Sequence, residues 1–129
     1  CADVTRFALE KYDGIVISDV LHYLSYEAQE VVLERTMDAL NPGGILLVRE
    51  GNSDLKDRHR GTRLTEFFSV KLLKFNKSIN ELNFLSGERI KKIASRKGLE
   101  VEVDDDAKYT SNVIFVIRKK MKVDILNLA

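Results

Sequence analysis

Two short apolar runs, separated by an amphipathic helix and a tight turn, constrain the fold of this 129-residue chain most strongly. Residues 14–20 (Gly-Ile-Val-Ile-Ser-Asp-Val) and 45–48 (Ile-Leu-Leu-Val) place apolar side chains on both strand faces, which is typical of strands buried in a parallel sheet. Apolar residues recur at helical spacing over 26–40, after Ser25, a favourable helix N-cap. Asn-Pro-Gly-Gly at 41–44 ends that helix, because proline cannot continue it and glycine permits a sharp reversal. The sequence therefore predicts a βαβ unit.

The second half of the sequence predicts further helices and strands. An aromatic stripe at three- and four-residue spacing predicts a helix over residues 62–76. Ser86 and Gly98 suit the beginning and the end of another helix. Residues 99–103 alternate apolar and acidic side chains, and residues 113–117 form an unbroken apolar run. These two patterns predict an edge strand with one wet face and a central strand.

Composition excludes several classes of protein. The chain has 21 basic and 20 acidic residues, so its net charge of +1 gives no electrostatic reason to expect a nucleic-acid partner. No apolar run approaches the roughly 20 residues that cross a bilayer, and no signal peptide is visible. The single cysteine, Cys1, fits a reducing compartment such as the cytoplasm. Because the chain opens at this cysteine rather than at methionine, we expect it to be a piece of a longer protein.

Two segments resemble class I S-adenosylmethionine-dependent methyltransferases. Residues 12–24 (Tyr-Asp-Gly-Ile-Val-Ile-Ser-Asp-Val-Leu-His-Tyr-Leu) and 40–48 (Leu-Asn-Pro-Gly-Gly-Ile-Leu-Leu-Val) resemble the fourth and fifth strands of that fold. Residues 86–117 resemble its last helix and final strand pair. The resemblance implies that 1–129 is a single partial domain, whose cofactor is S-adenosylmethionine in the intact domain. The family's glycine-rich loop and ribose-binding acid would both precede residue 1, so the N-terminal cofactor-binding half is missing and this piece is expected to be weakly active or inactive.

The fold implied is α/β, the C-terminal half of a Rossmann-like methyltransferase sheet with helices on both faces. The strand near Ile15 should lie beside the strand near Leu46, followed by the strand near Phe115 and, at the edge, the strand near Val101. The sheet should be mainly parallel, with the last strand antiparallel. Without its usual neighbour, strand 14–20 would have a bare apolar edge, which predicts self-association through that strand.

The same resemblance assigns four residues to the cofactor. Asp3 falls where the family places an acidic residue that accepts the adenine amino group, and Val4 beside it is assigned to the same pocket. Asp19 and Leu21 would line the pocket, partly through backbone atoms, at the carboxyl end of a strand. The alternative for Asp3 is a solvated residue near a chain end.

His22 is the candidate catalytic residue, because some small-molecule O-methyltransferases carry a catalytic histidine at the corresponding place. A hydroxyl is a poor nucleophile until its proton is removed, and an imidazole can act as the general base. The alternative is a histidine that only forms local hydrogen bonds at a helix entrance.

Arg49, Glu50 and Asn52 follow the next strand and are candidate substrate-binding residues. Glu50 would accept a hydrogen bond from a substrate hydroxyl or amine and Asn52 would orient it; the alternative is an ordinary solvated loop. His59 and Cys1 have no partners at metal-ligand spacing, so no metal site is predicted.

Residues 61–78 have two interpretations. As a substrate lid, the segment would offer aromatic side chains to an apolar substrate and basic ones to an acidic headgroup or an anionic membrane surface. The alternative is a core-facing apolar stripe.

Two functions remain open from sequence. The first is methyl transfer to a small molecule or lipid; the second is a catalytically silent methyltransferase-like module that serves assembly or regulation of a larger protein. A narrower resemblance, around residues 18–24, is to the C-terminal domains of some bacterial exporter–acyltransferase–methyltransferase fusion proteins. It implies the cytoplasmic side of an inner-membrane protein, with membrane attachment through the parent chain.

Overall fold

The computed structural model describes residues 2–51, 83, 85–104 and 112–121. Predictions that concern Cys1, Asn52, His59 and the 61–78 segment lie outside these described residues. The elements follow in the order strand, 3₁₀ turn, helix, strand, helix, strand, strand. Their bounds are β1 (Tyr12–Ser18), the 3₁₀ turn (Leu21–Tyr23), α1 (Tyr26–Asp38), β2 (Leu40–Gly51), α2 (Gly87–Arg96), β3 (Glu100–Asp104) and β4 (Asn112–Arg118).

The four strands form one sheet in the order β1-β2-β4-β3. β1 and β2 are parallel, with Ile15 opposite Leu46. β4 is antiparallel to both of its neighbours, and Phe115 lies opposite Val48 on one side and Val103 on the other. β3 therefore runs in the same direction as β1 and β2. The predicted strand order and the single antiparallel strand, the last in the chain, are confirmed.

The Asn-Pro-Gly-Gly segment forms a wide irregularity at the start of β2 rather than a separate turn. Tyr12 pairs with Leu40, but Gly14 already pairs with Ile45, so β2 has extra residues here. Gly43 has a φ of 80°, in the left-handed region that favours glycine. A Cβ at Gly44 would lie 2.8 Å from the Asn41 carbonyl oxygen, so only glycine fits this close approach.

Both described helices pack on one face of the sheet and form the core with it. Each begins at a serine N-cap: the Ser25 hydroxyl accepts from the Ala28 N–H and the Ser86 hydroxyl from the Arg89 N–H, each at 3.2 Å. α2 is followed by Gly98, whose φ is 69°. The buried core contains side chains from both helices, from β1, β2 and β4 and from the 3₁₀ turn, among them Ile17, Leu21, Leu33, Met37, Leu46, Val48, Ile90, Ile93, Phe115 and Ile117.

The opposite face of the sheet and the outer edge of β1 are more open. Val16, which alternates with the buried Ile17, is 70% exposed. The predicted 62–76 helix lies outside the described residues, so the expectation of helices on both faces stays a prediction. The same holds for self-association through strand 14–20, which light scattering at high concentration would test. No helix within the described ranges is long and apolar enough to cross a membrane.

Candidate functional site

The candidate site lies where β1 and β2 end at the same edge of the sheet. The chain leaves β1 through residues 19–24, which contain the 3₁₀ turn and which we call the His22 turn. Carboxyl ends of neighbouring parallel strands meet at one edge, and ligands of open α/β sheets bind there. Parallel pairing of Ser18 with Arg49 places the His22 turn directly beside the last residues of β2.

Glu50, near the end of β2, anchors the beginning of the His22 turn. Its side chain is only 1% exposed, and Oε1 accepts hydrogen bonds from the Val20 N–H at 2.8 Å and the Leu21 N–H at 2.6 Å. The first N–H groups of a helical turn have no partner within the turn, and a carboxylate is a strong acceptor for them. No side chain within the turn caps these N–H groups, and Glu50 of β2 caps them instead.

The second oxygen of the same carboxylate contacts the candidate catalytic residue. Glu50 Oε2 lies 2.6 Å from His22 Nδ1, and the His22 side chain is 14% exposed. An ionised carboxylate only accepts hydrogen bonds, so Nδ1 must carry the proton in this pair. In the neutral ring Nε2 is then the basic nitrogen. The His22 ring also lies against Tyr23, with the ring centres 4.1 Å apart.

The far side of the His22 turn is held by a buried amide and by residue 83. Gln29 of α1 is fully buried, and its Nε2 donates to Leu21 O, Leu24 O and Asn83 O. Asn83 in turn donates its backbone N–H to His22 O at 3.0 Å and its side-chain amide to Leu24 O at 3.1 Å. Sequence reasoning missed both residues. The available signal was a glutamine three and four positions before Val32 and Leu33, within the apolar stripe of α1.

Asp19 and Arg49, predicted for the cofactor and the substrate respectively, form an ion pair with each other. Arg49 Nη1 contacts Asp19 Oδ2, which also accepts from the Ser18 hydroxyl at 2.9 Å. The two paired side chains are 43% and 46% exposed. Asp19 has a φ of 55°, in the left-handed region that aspartate tolerates better than most residues. The pair therefore presents both charges at the edge of the sheet, beside the His22 turn.

The structure directs Leu21 and Glu50 into the protein. The Leu21 side chain is fully buried in the core, its N–H is bonded to Glu50, and its carbonyl accepts from Gln29. The predicted role of Leu21 in lining a cofactor pocket stays a prediction. Glu50 has both carboxylate oxygens bonded within the chain, and its predicted contact with substrate stays a prediction. Local sequence does not show which polar strand-end residue turns inward.

Asp3 and Val4 are not brought into contact with the His22 turn. They belong to a turn whose carbonyls, at Thr5 and Phe7, accept from Arg35 in the C-terminal half of α1. Arg35 is nine residues past the start of that helix, or roughly 13 Å along its axis. A hydrogen bond from the Thr5 hydroxyl, reinforced by the Thr5 N–H, holds the pKa of the Asp3 carboxyl below its usual value. The predicted roles of both residues stay predictions.

Metal ligation is not indicated by the described part of the chain. Within residues 2–51, 83, 85–104 and 112–121, no three His, Cys, Asp or Glu side chains are grouped so that they could hold an ion. The polar groups of the site instead bond to one another.

Comparison with known proteins adds the fold family to this geometry. No family model matches the chain. Over 50 residues, 39% of this chain and 20% of the relative, it is 34% identical to a carboxy-S-adenosyl-L-methionine synthase of Hydrogenovibrio crunogenus.

Solved structures match over nearly the whole chain. An O-methyltransferase family protein from Burkholderia thailandensis is 20% identical, with a TM-score of 0.65 over 94% of this chain and 34% of that one. Human N-acetylserotonin methyltransferase, in complex with SAM, is 22% identical, with a TM-score of 0.65 over 93% and 33%. The N-methyltransferase NodS from Bradyrhizobium japonicum, in complex with S-adenosylhomocysteine, is 15% identical, with a TM-score of 0.57 over 94% and 53%.

These similarities show that the chain has the fold of the class I methyltransferases. The chain spans about a third of the length of the two most similar of these structures and a fifth of the curated relative. The neighbours include both an O- and an N-methyltransferase, so the shared fold leaves the methyl acceptor undefined.

Proposed function

We propose that this chain is part of a methyltransferase domain that transfers a methyl group from S-adenosylmethionine to a small-molecule hydroxyl, with His22 as the general base. The observation that carries the proposal is the 2.6 Å contact between His22 Nδ1 and Glu50 Oε2 at the carboxyl edge of the sheet. The contact orients an imidazole at the edge where ligands of α/β folds bind.

The chemistry that this pair supports is proton removal from an acceptor hydroxyl. With the Nδ1 proton directed at Glu50, Nε2 takes the proton, and the hydroxyl oxygen gains nucleophilicity. The carboxylate then stabilises the imidazolium that forms, and both protons stay on His22 until the product leaves. Positioned bases of this kind typically contribute about 10²- to 10⁴-fold to the rate.

The cofactor would supply the methyl group, and the described residues fit only part of its site. Among the residues predicted to hold it, Asp19 lies at the correct edge with a partly exposed carboxylate, whereas Leu21 is in the core. We therefore assign most of the cofactor contacts to the part of the methyltransferase fold outside this chain. The support is that the structural neighbours include complexes with SAM and with S-adenosylhomocysteine.

A small molecule is favoured over a lipid as methyl acceptor. The support comes from N-acetylserotonin methyltransferase among the structural neighbours. About half of the Arg49 side chain is exposed beside the His22 turn, and we assign it to an acidic or polar group of the acceptor, which it would meet on leaving Asp19. We also propose that the protein is located in the cytoplasm and that residues 61–78 serve as a lid over the substrate.

The test is calorimetric titration of S-adenosylhomocysteine into this chain and into a version extended upstream. We expect binding by the extended chain only. In that chain His22→Ala should lower methyl transfer by on the order of 10²-fold while cofactor affinity changes little. His59→Ala, at the only other histidine, is the matched control and should leave both unchanged.

Two outcomes would contradict the proposal. Unchanged turnover in His22→Ala would remove the general base. Absence of S-adenosylhomocysteine binding in both chains would favour the silent methyltransferase-like module instead.

A further inference from the structure

Gln29 is a fully buried polar side chain of α1 that the proposed chemistry does not use. Its amide nitrogen lies 2.9 Å from Leu21 O, 3.3 Å from Leu24 O and 2.6 Å from Asn83 O. Two of these carbonyls belong to the His22 turn, and the third lies 54 positions along the chain from Gln29. One side-chain amide therefore joins α1, the His22 turn and a distant segment.

The surroundings of the Gln29 amide show that it acts as a hydrogen-bond donor. Three carbonyl oxygens around one atom require that atom to be the nitrogen, because an amide oxygen there would face only other acceptors. Gln29 Oε1 is buried and has no hydrogen-bond partner within the described residues. An unpaired buried acceptor is unfavourable. A methionine side chain would fill the same space and would have no such oxygen. We therefore attribute the presence of glutamine at position 29 to the hydrogen bonds that its Nε2 donates.

The hydrogen bonds of Gln29 lead to His22 through residue 83. Gln29 holds Asn83 O, and the Asn83 N–H donates to the carbonyl of His22 itself at 3.0 Å. Glu50 binds the beginning of the same turn and the imidazole ring. The backbone of His22 is thus fixed from the α1 side, and its ring is fixed from the β2 side.

We propose that Gln29 is a positioning residue that fixes the backbone of the His22 turn and thereby keeps the imidazole on Glu50. The proposal rests on the proposed role of His22, but it concerns a ring orientation that is measurable without any substrate. If the amide is removed, Leu21 O, Leu24 O and Asn83 O each lose one hydrogen bond, and the turn gains freedom to rotate the ring away from the carboxylate.

The experiment is nitrogen NMR of the two imidazoles in the isotopically labelled chain, with His59→Gln to assign them. In the natural sequence the neutral His22 ring should carry its proton on Nδ1 alone. In Gln29→Met its ring nitrogens should move toward averaged values of a tautomer mixture, and His59 should not change. Exchange of the Asn83 amide hydrogen should become faster by on the order of tenfold, the effect of about one hydrogen bond.

The matched control is Thr36→Val on the same helix. Thr36 is 4% exposed, and its hydroxyl donates to Val32 O and Leu33 O within α1, so this variant removes a buried donor without affecting the His22 turn. Its His22 signals should stay as in the natural sequence. Gln29→Asn retracts the amide by one methylene and should cause a smaller change in the same direction. If Gln29→Met does not fold, the His22 nitrogen shifts are measured in Gln29→Asn instead.

Unchanged His22 nitrogen shifts in the folded Gln29 variants would overturn the proposal. So would an equal change in Thr36→Val, because that would show a general response to lost stability. Failure of S-adenosylhomocysteine to bind would overturn the proposed function and leave these shifts unaffected, so the two failures are distinguishable.

Discussion

Helix α1 carries two polar networks of similar chemistry and opposite surroundings. On its buried side, Gln29 reaches the His22 turn, where His22 and Glu50 meet. On its outer side the next residue, Glu30, pairs with Arg96 and, at 3.4 Å, with Arg89 of α2. We call the first the buried network and the second, which also includes Glu34 at 3.6 Å from Arg96, the α1–α2 network.

Burial decides what each network can do. Glu50 is 1% exposed, so little water can reach its carboxylate to replace the hydrogen bonds that it accepts. The Arg96 side chain is 49% exposed and that of Glu30 32%, so solvent and salt screen their attraction. The number of contacts in a network therefore does not predict how much the network stabilises the fold. The buried network should determine the geometry of the site and contribute most to stability, while the α1–α2 network should add little.

The strongest test of the comparison is Glu50→Ala. It removes the acceptor of two backbone N–H groups and of His22 Nδ1, and leaves all three without that partner. Unpaired buried groups of this kind lead us to expect a loss of about 3 kcal/mol in the free energy of unfolding. Urea denaturation measures it.

Glu34→Gln in the α1–α2 network is the control and should change stability by at most about 0.5 kcal/mol. Equal losses in the two variants would show that burial does not separate the networks.

The contrast also explains which parts of the molecule the sequence could predict. The positions of helices and strands follow from apolar periodicity, a local signal, whereas the strand order was implied by the resemblance to the methyltransferase family. The polar residues at the ends of β1 and β2 could also be recognised as candidates. Their partners could not. Whether Glu50 turns inward to His22, and Arg49 outward to Asp19, depends on register between strands some 30 positions apart in sequence. Gln29 and Asn83 meet across 54 positions, which no local pattern shows.

A second, subtler test keeps the shape of the buried network and changes its charge. Glu50→Gln retains an oxygen for the Val20 and Leu21 N–H groups, so it should cost only about 1 kcal/mol of stability. Its amide nitrogen would, however, donate to His22 Nδ1 and so place the ring proton on Nε2, the wrong nitrogen for a base. Methyl transfer by the upstream-extended chain should therefore fall by on the order of 10²-fold.

For Glu50→Gln the decisive measurement is the ratio of the two effects. A large loss of turnover with nearly normal stability supports an electrostatic role for the carboxylate. A loss of turnover no greater than in Glu34→Gln would mean that Glu50 serves stability alone.

The smallest effect should come from pH and the α1–α2 network. The hydrogen bond from Arg96 lowers the pKa of Glu30 below its usual value of 4.5, and the charges of Arg96, Arg89 and Lys92 act in the same direction. A carboxyl whose pKa is lower in the folded state stabilises the fold above its unfolded pKa and loses that contribution as pH falls through the folded pKa.

Glu30→Gln should therefore be slightly less stable than the natural chain at pH 7, and the difference should shrink as pH falls below 4.5 and disappear once pH is below the folded-state pKa of Glu30. Because the pair is partly exposed, 1 M salt should reduce the difference at pH 7 as well. Thermal unfolding of both chains across this pH range measures it, with Glu50→Ala as the contrasting variant whose defect salt should not relieve. If the difference in stability between the two chains grew toward low pH, the prediction would be wrong, because that result requires that folding raises the pKa of Glu30. A salt-insensitive difference would place Glu30 with the buried network instead.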